Sequence, residues 1–447
     1  MIKFFQYDEK ITIPDNFDYS YLKHLDSRGK IIFYGDNLIS LRDFSGYIGE
    51  TLYIPKKLEK ILNLDNDEEY QKLFTNLFSA ILSHFNEDIL FQLFPTRFGL
   101  TEHQFNTSKI FQLNTILKHR DSTIFALNLI QKNTHRRLVE NYVYRDFKDV
   151  SYIDDTILLD ILDNPHNWQN NSPKKPQKVL QYNNFESVDT NENRFIKMFL
   201  NQLTVTIDEL IKYTASIPIQ RIFLKSIKYE IDSFRGEFPL DEVGELKLFP
   251  YNSQVLLKRD GYKDLFYLYN RLHYSFKPSF LQNLDNAISL KDISSIWEYY
   301  VMLKLIEQFG EIKSQFIEKD LQVKDETYER ASIEFQSGLK LYYQHIIKSY
   351  SNIPFRPDFY IEYQNKKIVL DAKFRVLETN RTEILKNMHY YKDSLKLDSA
   401  LAIVIGKEQS GEFYSESDGT SKINGFDNIF DSKGVGYLSL DLMELLN

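Results

Sequence analysis

Two aspartates and a lysine lie in the C-terminal part of the chain, at the ends of two short apolar segments. Asp358 follows Pro357 and opens an alternating apolar run, and Asp371 and Lys373 end a second apolar run. The polar residues 364–367 between the runs are typical of a turn, which predicts a hairpin of two paired strands. Because side chains two positions apart on a strand point the same way, Asp371 and Lys373 should share one face.

This set of groups is suited to metal-assisted hydrolysis of a phosphodiester bond. Carboxylate oxygens hold hard divalent cations. Such a cation polarises the phosphate and lowers the pKa of a bound water, while a lysine can orient that water or offset developing charge. The alternative is a surface hairpin with an incidental Asp and Lys, since Asp-x-Lys alone is a common pattern. The preceding Pro-Asp and the strongly apolar second strand make the combination more specific.

Two predicted helices and several strands surround this hairpin. Apolar residues recur at helical spacing over 292–309, and Glu298 lies in the first turns of that helix. The predicted order is a helix at 292–309, strands at 331–336, 339–346, 358–363 and 367–374, a helix at 381–395, a strand at 400–405, and a strand and helix near 436–446. This order predicts an α/β/α sandwich around a mixed sheet.

The hairpin and its flanking elements resemble the PD-(D/E)xK nuclease superfamily, the fold of many restriction endonucleases. The resemblance implies a restriction-endonuclease-like α/β domain with a mixed central sheet and an αβββαβ core. It implies that Asp358, Asp371, Lys373 and Glu298 are catalytic. It also implies that Asp358, Asp371, Glu298 and the carbonyl of Ala372 bind Mg2+, for which Mn2+ can substitute. For Glu298, the alternative is a solvated glutamate favoured by the helix dipole.

The helix that follows Asp-x-Lys carries polar residues in a similar pattern to that of related nucleases. His389, Tyr391 and Lys392 match the polar residue and the Tyr-Lys pair that face the cleaved strand there. The resemblance therefore implies that these three residues contact substrate, with Lys392 at a phosphate. For His389 alone, a histidine on the helix surface is an equal alternative.

A second pattern lies upstream. Residues 188–195 read Val-Asp-Thr-Asn-Glu-Asn-Arg-Phe, and we expect Thr190 to cap a helix and Asn193 or Glu192 to reach back to it. Arg194 could pair with Glu192 or with a neighbouring helix. Together with the nuclease motifs, this box is similar to the nuclease subunits of McrC-type and LlaJI-type restriction systems and their uncharacterised helical domain. We interpret the box as structural.

This resemblance implies a DNA endonuclease of a bacterial restriction or anti-phage system, working with an AAA+ GTPase or ATPase. The chain has no Gly-x-x-x-x-Gly-Lys-Ser/Thr motif, so any nucleotide dependence must come from a partner chain. Cutting both strands with one site per chain favours a homodimer or two chains brought together by a partner. The alternatives are a catalytically idle scaffold that binds DNA or an NTPase, and a stand-alone nuclease on RNA or single-stranded DNA.

Composition is compatible with this hypothesis. The chain of 447 residues has no cysteine, which removes disulfide frameworks, thiol nucleophiles and cysteine-based metal sites and fits a cytoplasmic protein. No run of apolar residues is long enough to span a membrane, and the first residues lack the apolar core of a signal peptide. A net charge of −8 argues against a uniformly basic surface, although 109–148 is locally basic.

The sequence predicts three segments. These are a small β-rich region at 1–62, a mainly helical domain at 63–285 with a linker near 163–178, and the nuclease domain at 286–447. In the helical domain, the apolar spacing predicts helices over 68–94 and 110–142. No functional role is predicted for the first segment.

Overall fold

The structure is a computed structural model. It describes residues 2–14, 22–23, 25–26, 29–35, 37–56, 67–84, 108–150, 152–164, 176–273, 279–323, 326–406, 408–415, 417, 419–430 and 433–441. The described helices, α1 to α11, are Asp67–His84, Lys109–Lys118, Arg120–Lys132, Asp155–Asp163, Asn191–Tyr213, Pro218–Glu237, Gln254–Lys258, Tyr262–His273, Ser279–Ser289, Ile293–Phe309 and Leu377–Leu395.

The described strands, β1 to β19, are Ile2–Phe5, Glu9–Thr12, Ile31–Phe33, Leu38–Leu41, Gly46–Ile48, Thr51–Pro55, Arg137–Asp146, Lys178–Ser187, Ile312–Val323, Glu326–Phe335, Lys340–Tyr343, Ile347–Lys348, Pro354–Phe355, Phe359–Tyr363, Lys366–Val376, Ser399–Gly406, Ser410–Ser415, Gly419–Ile423 and Gly434–Asp441. The chain is therefore mixed α/β, with small N-terminal strands and most of its strands in the C-terminal part.

A nine-stranded mixed sheet dominates the described C-terminal part, in the order β18-β17-β19-β16-β15-β14-β11-β10-β9. Strands β9, β10, β11, β14 and β15 pair antiparallel in succession, whereas β15, β16 and β19 pair parallel. Helix α11 connects β15 to β16, as a parallel pair requires a crossover. The mixed sheet predicted from the sequence is confirmed, and β9, β17 and β18 are additional strands.

The two faces of this sheet pack against different helices. On one face, Val369 lies in a buried cluster with Met388 of α11 and with Ala400 of β16. On the other face, the ring of Phe374 lies 6.1 Å from that of Trp297 in α10. Since side chains alternate along β15, positions 369, 371 and 373 face α11, whereas 370, 372 and 374 face α10. The strand thus directs alternate side chains to two separate helices.

Helix α10 is buried on nearly all sides, including the fully buried Trp297. Its first turn is capped by Asp292, whose side chain accepts a hydrogen bond from the Ser295 amide. Gly310 ends the helix with a φ of 83°, a conformation that glycine adopts at little cost. The predicted helix at 292–309 is therefore confirmed, and its start is fixed by a buried cap.

The small N-terminal strands are tied to the start of α10 by backbone hydrogen bonds. Tyr47 donates to the carbonyl of Leu290 at 2.7 Å, and Ile293 donates to the carbonyl of Ser45 at 3.0 Å. The hydroxyl of Tyr70 in α1 lies 2.6 Å from the Ser45 carbonyl and is fully buried. A Cβ atom on Gly46 would lie 2.7 Å from the Leu290 carbonyl, so the close approach requires glycine.

The chain forms two compact units. One contains residues 1–118, 210–222 and 271–447, and the other contains residues 119–209 and 223–270. Within the described residues, no helix is long and apolar enough to cross a membrane. The three segments proposed from the sequence stay a prediction.

In the second unit, the box at 188–195 is a hydrogen-bonding centre. Asn193 is fully buried, and its amide group donates to the carbonyls of His135 and Val188 at 2.8 and 2.6 Å. Its side-chain oxygen accepts a hydrogen bond from the hydroxyl of Tyr262 at 2.6 Å. Its backbone amide donates to Thr190, which confirms the predicted cap.

Arg194 pairs with neither of its predicted partners. Its guanidinium binds Asp189 through two contacts of 2.6 and 2.5 Å, and Asp189 also accepts from the Gly244 amide. The hydrogen bond from Arg194 lowers the pKa of Asp189 to about 2. The prediction of Glu192 as its partner was wrong because the bidentate geometry available from Asp189 is better, and Glu192 instead accepts from Ser253 at 2.6 Å.

The helical prediction over 110–142 was wrong at its C-terminal end. Helices α2 and α3 end by Lys132, and Arg137–Asp146 is a strand that pairs antiparallel with Lys178–Ser187. Its Tyr142, Val143 and Tyr144 are exposed rather than packed on one face, so apolar spacing did not report burial there. Most of the predicted linker, residues 165–175, lies outside the described residues, as do 85–94 of the predicted helix at 68–94.

Asp285 gives the first unit a pH-dependent contribution to stability. Its carboxylate accepts hydrogen bonds from the amides of Lys109 and Ile110 at the start of α2 and from the hydroxyl of Tyr213. Burial outweighs these bonds and raises the pKa of Asp285 to about 6. Because the folded-state pKa is above the unfolded value of about 4, the contribution is complete below pH ~4 and is lost as pH rises through ~6.

We therefore expect Asp285 to make the unfolding free energy decrease by about 2–3 kcal/mol between pH 4 and pH 7. In Asp285→Asn, urea unfolding followed across this range should show a correspondingly smaller decrease. An unchanged pH dependence in this variant would contradict the assignment.

Candidate active site

The hairpin of β14 and β15 brings the three predicted residues together. Asp358 directly precedes β14, and Asp371 and Lys373 lie on β15, whose Leu370 pairs with Phe359. The Ala372 amide donates to Asp358 Oδ2 at 2.8 Å, and Lys373 Nζ lies 2.8 Å from Asp371 Oδ2. The local cause is the antiparallel register, which places the start of one strand beside the end of the other.

These residues line a pocket of about 390 Å³. Its described lining includes four carboxylates, from Asp43, Glu298, Asp358 and Asp371. It also includes four cations, from Lys30, Arg356, Lys373 and Arg375. The formal charges of these described side chains cancel, so the pocket is highly charged but close to neutral overall.

Lys373 is a cation in this setting. Burial lowers the pKa of Lys373, but the carboxylates of Asp371 and Asp358 overcome that effect and raise the pKa above its usual value. Of the two opposing effects, the charges therefore prevail over burial. A lysine that keeps its proton can stabilise negative charge or donate a proton.

Asp371 carries an oxygen suited to a cation. The residue is 2% exposed, and its Oδ2 lies 2.8 Å from Lys373 Nζ without the angles of a hydrogen bond. A buried carboxylate oxygen without a hydrogen bond is costly unless a charge compensates it. Lys373 supplies such a charge, and a hard divalent cation shared with Asp358 would be another.

The donor set fits a divalent cation that prefers oxygen. Within the described parts of the chain, no group of three or more Asp, Glu or His side chains is arranged to hold a metal ion. Asp358 and Asp371 nevertheless supply two carboxylates beside the backbone of Ala372. Mg2+ in proteins is commonly bound by one or two carboxylates, with water and phosphate oxygens at the remaining positions. These residues fit Mg2+ without a third carboxylate.

Glu298 reaches the same pocket but has a partner that the sequence did not indicate. Its Oε1 lies 2.7 Å from Nζ of Lys30, and both side chains are less than 10% exposed. Lys30 comes from the segment just before β3, for which no function was predicted. The structure thus places Glu298 at the site and pairs it with a buried lysine.

Gln344 and Arg356 extend this contact. Gln344 Nε2 donates to Glu298 Oε2 at 3.4 Å, and Arg356 Nη2 donates to Gln344 Oε1 at 3.0 Å. The Gln344 amide also donates to the carbonyl of Asp358 at 2.8 Å. Gln344 has a φ of 53°, which is uncommon for a residue other than glycine and is found at functional sites where surrounding contacts hold it.

Of the three predicted substrate contacts on α11, the pocket includes Tyr391. The charge of Asp371 and burial raise the pKa of Tyr391, so its phenol stays neutral. His389 is exposed and Lys392 lies 3.9 Å from Asp393, and neither lines the pocket. Their helical positions, two before and one after Tyr391, direct them elsewhere.

Arg375 continues the row of charged residues on β15. It is 9% exposed, and it lies 2.7 Å from Glu383 of α11 and 3.5 Å from Asp43 of the N-terminal segment. Residues 371, 373 and 375 alternate along the strand, so the charged face could have been extended from the sequence by the same rule. Lys30 and Gln344 had no such signal, because their contacts join parts of the chain far apart in sequence.

Comparison with protein families gives a similarity upstream of the hairpin that carries Asp358 and Asp371. Residues 61–269 are similar to a domain of unknown function, DUF2357. The chain matches none of the curated proteins. The matched segment includes the hydrogen-bonding centre at Asn193 and ends before Glu298, Asp358 and Asp371, so it assigns no role to the pocket.

Proposed function

We propose that the chain is a metal-dependent endonuclease that hydrolyses phosphodiester bonds in DNA. The observation that carries the proposal is the pair Asp358 and Asp371 on one hairpin, with Lys373 Nζ 2.8 Å from the buried Oδ2 of Asp371. A site that balances carboxylates against a lysine in this way suits a phosphate substrate together with a divalent cation.

In this proposal, Asp358, Asp371 and the carbonyl of Ala372 would hold Mg2+ or Mn2+. When bound, the cation would supply Lewis-acid activation of the phosphate and of a water molecule. Lys373, whose ammonium group lies beside Asp371, stabilises the negative charge that develops on the phosphate. Tyr391 can donate a hydrogen bond, because its phenol keeps its proton.

The arrangement of the sheet supports the PD-(D/E)xK resemblance. Helix α10 precedes the antiparallel strands, α11 follows β15, and β16 then pairs parallel with β15. With β11, β14 and β15 as the three antiparallel strands, this order contains the αβββαβ order expected of a restriction-endonuclease-like core, and β9 and β10 are further strands of the same sheet. The superfamily has its acidic residues and lysine on the corresponding hairpin, which supports the roles proposed for Asp358, Asp371 and Lys373.

The wider setting belongs to the same proposal. We infer a role in a bacterial restriction or anti-phage system in the cytoplasm, with an AAA+ GTPase or ATPase as a separate partner chain. A homodimer, or two chains recruited by the partner, would supply the two sites needed to cut both strands. These inferences rest on the motifs at 188–195 and 356–373.

The test is cleavage of plasmid and linear DNA, with and without base modification, in Mg2+ or Mn2+. Wild type is compared with Asp371→Ala and Lys373→Ala, each with and without a candidate NTPase partner. We expect metal-dependent cutting that both substitutions abolish. Equal cutting by wild type and variants would place the activity elsewhere, and the absence of both cutting and cation binding would favour an idle scaffold. Cleavage of RNA or single-stranded DNA alone would favour a stand-alone nuclease.

A further inference from the structure

The contacts of Glu298 indicate how many divalent cations the pocket takes. Lys30 Nζ lies 2.7 Å from Glu298 Oε1 and 2.9 Å from the hydroxyl of Ser295. That hydroxyl in turn donates to Asp292 at 2.6 Å, so the ammonium group sits in a network of fixed oxygen atoms. The side chains of Lys30 and Glu298 are 9% and 5% exposed. The pair is buried and positioned rather than a mobile surface contact.

A buried carboxylate needs a compensating charge, and Glu298 already has one. A divalent cation on the same carboxylate would lie beside the ammonium group, and the two positive charges would repel each other in a poorly screened environment. Asp371 also has a lysine, but its Oδ2 lies 2.8 Å from Lys373 Nζ without the angles of a hydrogen bond, and the Lys373 side chain is 30% exposed, so this lysine can move aside when a cation binds. The two carboxylates are therefore suited to different cations.

The charges of the described lining agree with this distinction. Arg375 faces Asp43, and Lys30 faces Glu298. The remaining carboxylates, Asp358 and Asp371, lie beside Lys373. Two divalent cations would require a larger excess of carboxylates than these residues provide.

We propose that the pocket binds a single divalent cation, on Asp358 and Asp371, and that the ammonium group of Lys30 occupies the position beside Glu298 where a second cation would otherwise bind. The inference rests on the proposed nuclease function and deepens it. Lys30 is a positioning residue, since it acts through Glu298. Glu298 accepts a hydrogen bond from Gln344. Gln344 in turn accepts one from Arg356 and donates one to the carbonyl of Asp358.

The experiment measures Mn2+ binding to the full chain by calorimetry and by electron paramagnetic resonance of free Mn2+. Wild type is expected to bind one Mn2+ per chain, and Asp371→Asn should weaken this binding by at least about tenfold. The double variant Lys30→Met with Glu298→Gln removes both buried charges at similar volume. It should keep one Mn2+ per chain and lose less affinity than Asp371→Asn, because neither residue is a ligand.

Lys30→Met alone leaves the Glu298 carboxylate without its lysine, and we expect a second, weaker Mn2+ to bind there. If this variant does not fold, the double variant still tests whether Glu298 is a ligand. Two Mn2+ ions per wild-type chain would overturn the proposal, as would a loss of Mn2+ affinity in the double variant as large as that in Asp371→Asn. If either result is found while wild type still cleaves DNA in a metal-dependent way, the proposed nuclease function stands. If wild type shows no Mn2+ binding and no cleavage, the single-cation proposal and the nuclease function are both overturned.

Discussion

Asp371→Asn is expected to reduce Mg2+-dependent DNA cleavage by at least about a hundredfold, since ligation and charge stabilisation at such a site contribute several kcal/mol to the transition state. Asparagine preserves the volume of the side chain and one oxygen, but it removes the negative charge that faces the pocket and Lys373. The measurement is the single-turnover cleavage rate at saturating Mg2+ and again at tenfold higher Mg2+, because a weakened site should be partly rescued by excess cation.

Glu362→Gln is the matched control for this substitution. Glu362 lies on β14, the strand that Asp358 precedes, and its carboxylate accepts hydrogen bonds from Tyr342 and Tyr360 instead of lining the pocket. We expect this variant to cleave at the wild-type rate within about threefold, since it keeps the charge of the pocket. Equal losses in Asp371→Asn and Glu362→Gln would indicate a general effect on the sheet and would contradict a specific role for Asp371.

Asn193→Leu is expected to lower the unfolding free energy of the second unit by about 3 kcal/mol or more. Leucine has a similar size, but it leaves the carbonyls of His135 and Val188 and the hydroxyl of Tyr262 without their buried partner. Burial raises the pKa of Tyr262 to about 12, which shows how far this hydroxyl is removed from water. The loss can be measured by urea unfolding, with hydrogen exchange over 191–213 to assign the transition.

Asn201→Ala, two turns along the same helix, provides the comparison. Asn201 is exposed and accepts one hydrogen bond from Arg235, so its removal should cost no more than about 0.5 kcal/mol. A small effect at Asn193 would mean that water can replace the three buried hydrogen bonds. The box at 188–195 would then need a role other than the structural one described here.

The parts of the site that the sequence predicted are those set by local periodicity. Asp371 and Lys373 are two apart on one strand, and the turn at 364–367 fixes which residues of β14 and β15 lie opposite each other. Helix α10 was recognisable from its apolar spacing. These features depend on neighbours in sequence, so physical rules about strands and helices were sufficient to place them.

The parts that the sequence did not predict depend on tertiary contacts. Lys30 and Glu298 are 268 positions apart in the sequence, and no local pattern indicates that a lysine will be buried. Gln344 required a left-handed backbone, which is rarely foreseeable in a residue other than glycine. The exposed strand Arg137–Asp146 overlaps a segment that was predicted as helix. The strand has no buried face, so its apolar residues do not show the two-residue spacing that indicates a strand.

The pairing of Lys30 with Glu298 also limits how the protein can be divided for study. A fragment covering only 286–447 would contain Asp358, Asp371 and Lys373, but its Glu298 would lose the lysine that neutralises it. It would also lose the backbone hydrogen bonds between the N-terminal strands and the start of α10. An inactive or insoluble C-terminal fragment would therefore say little about the intact protein, and co-expression of the two pieces would be the more informative way to separate them.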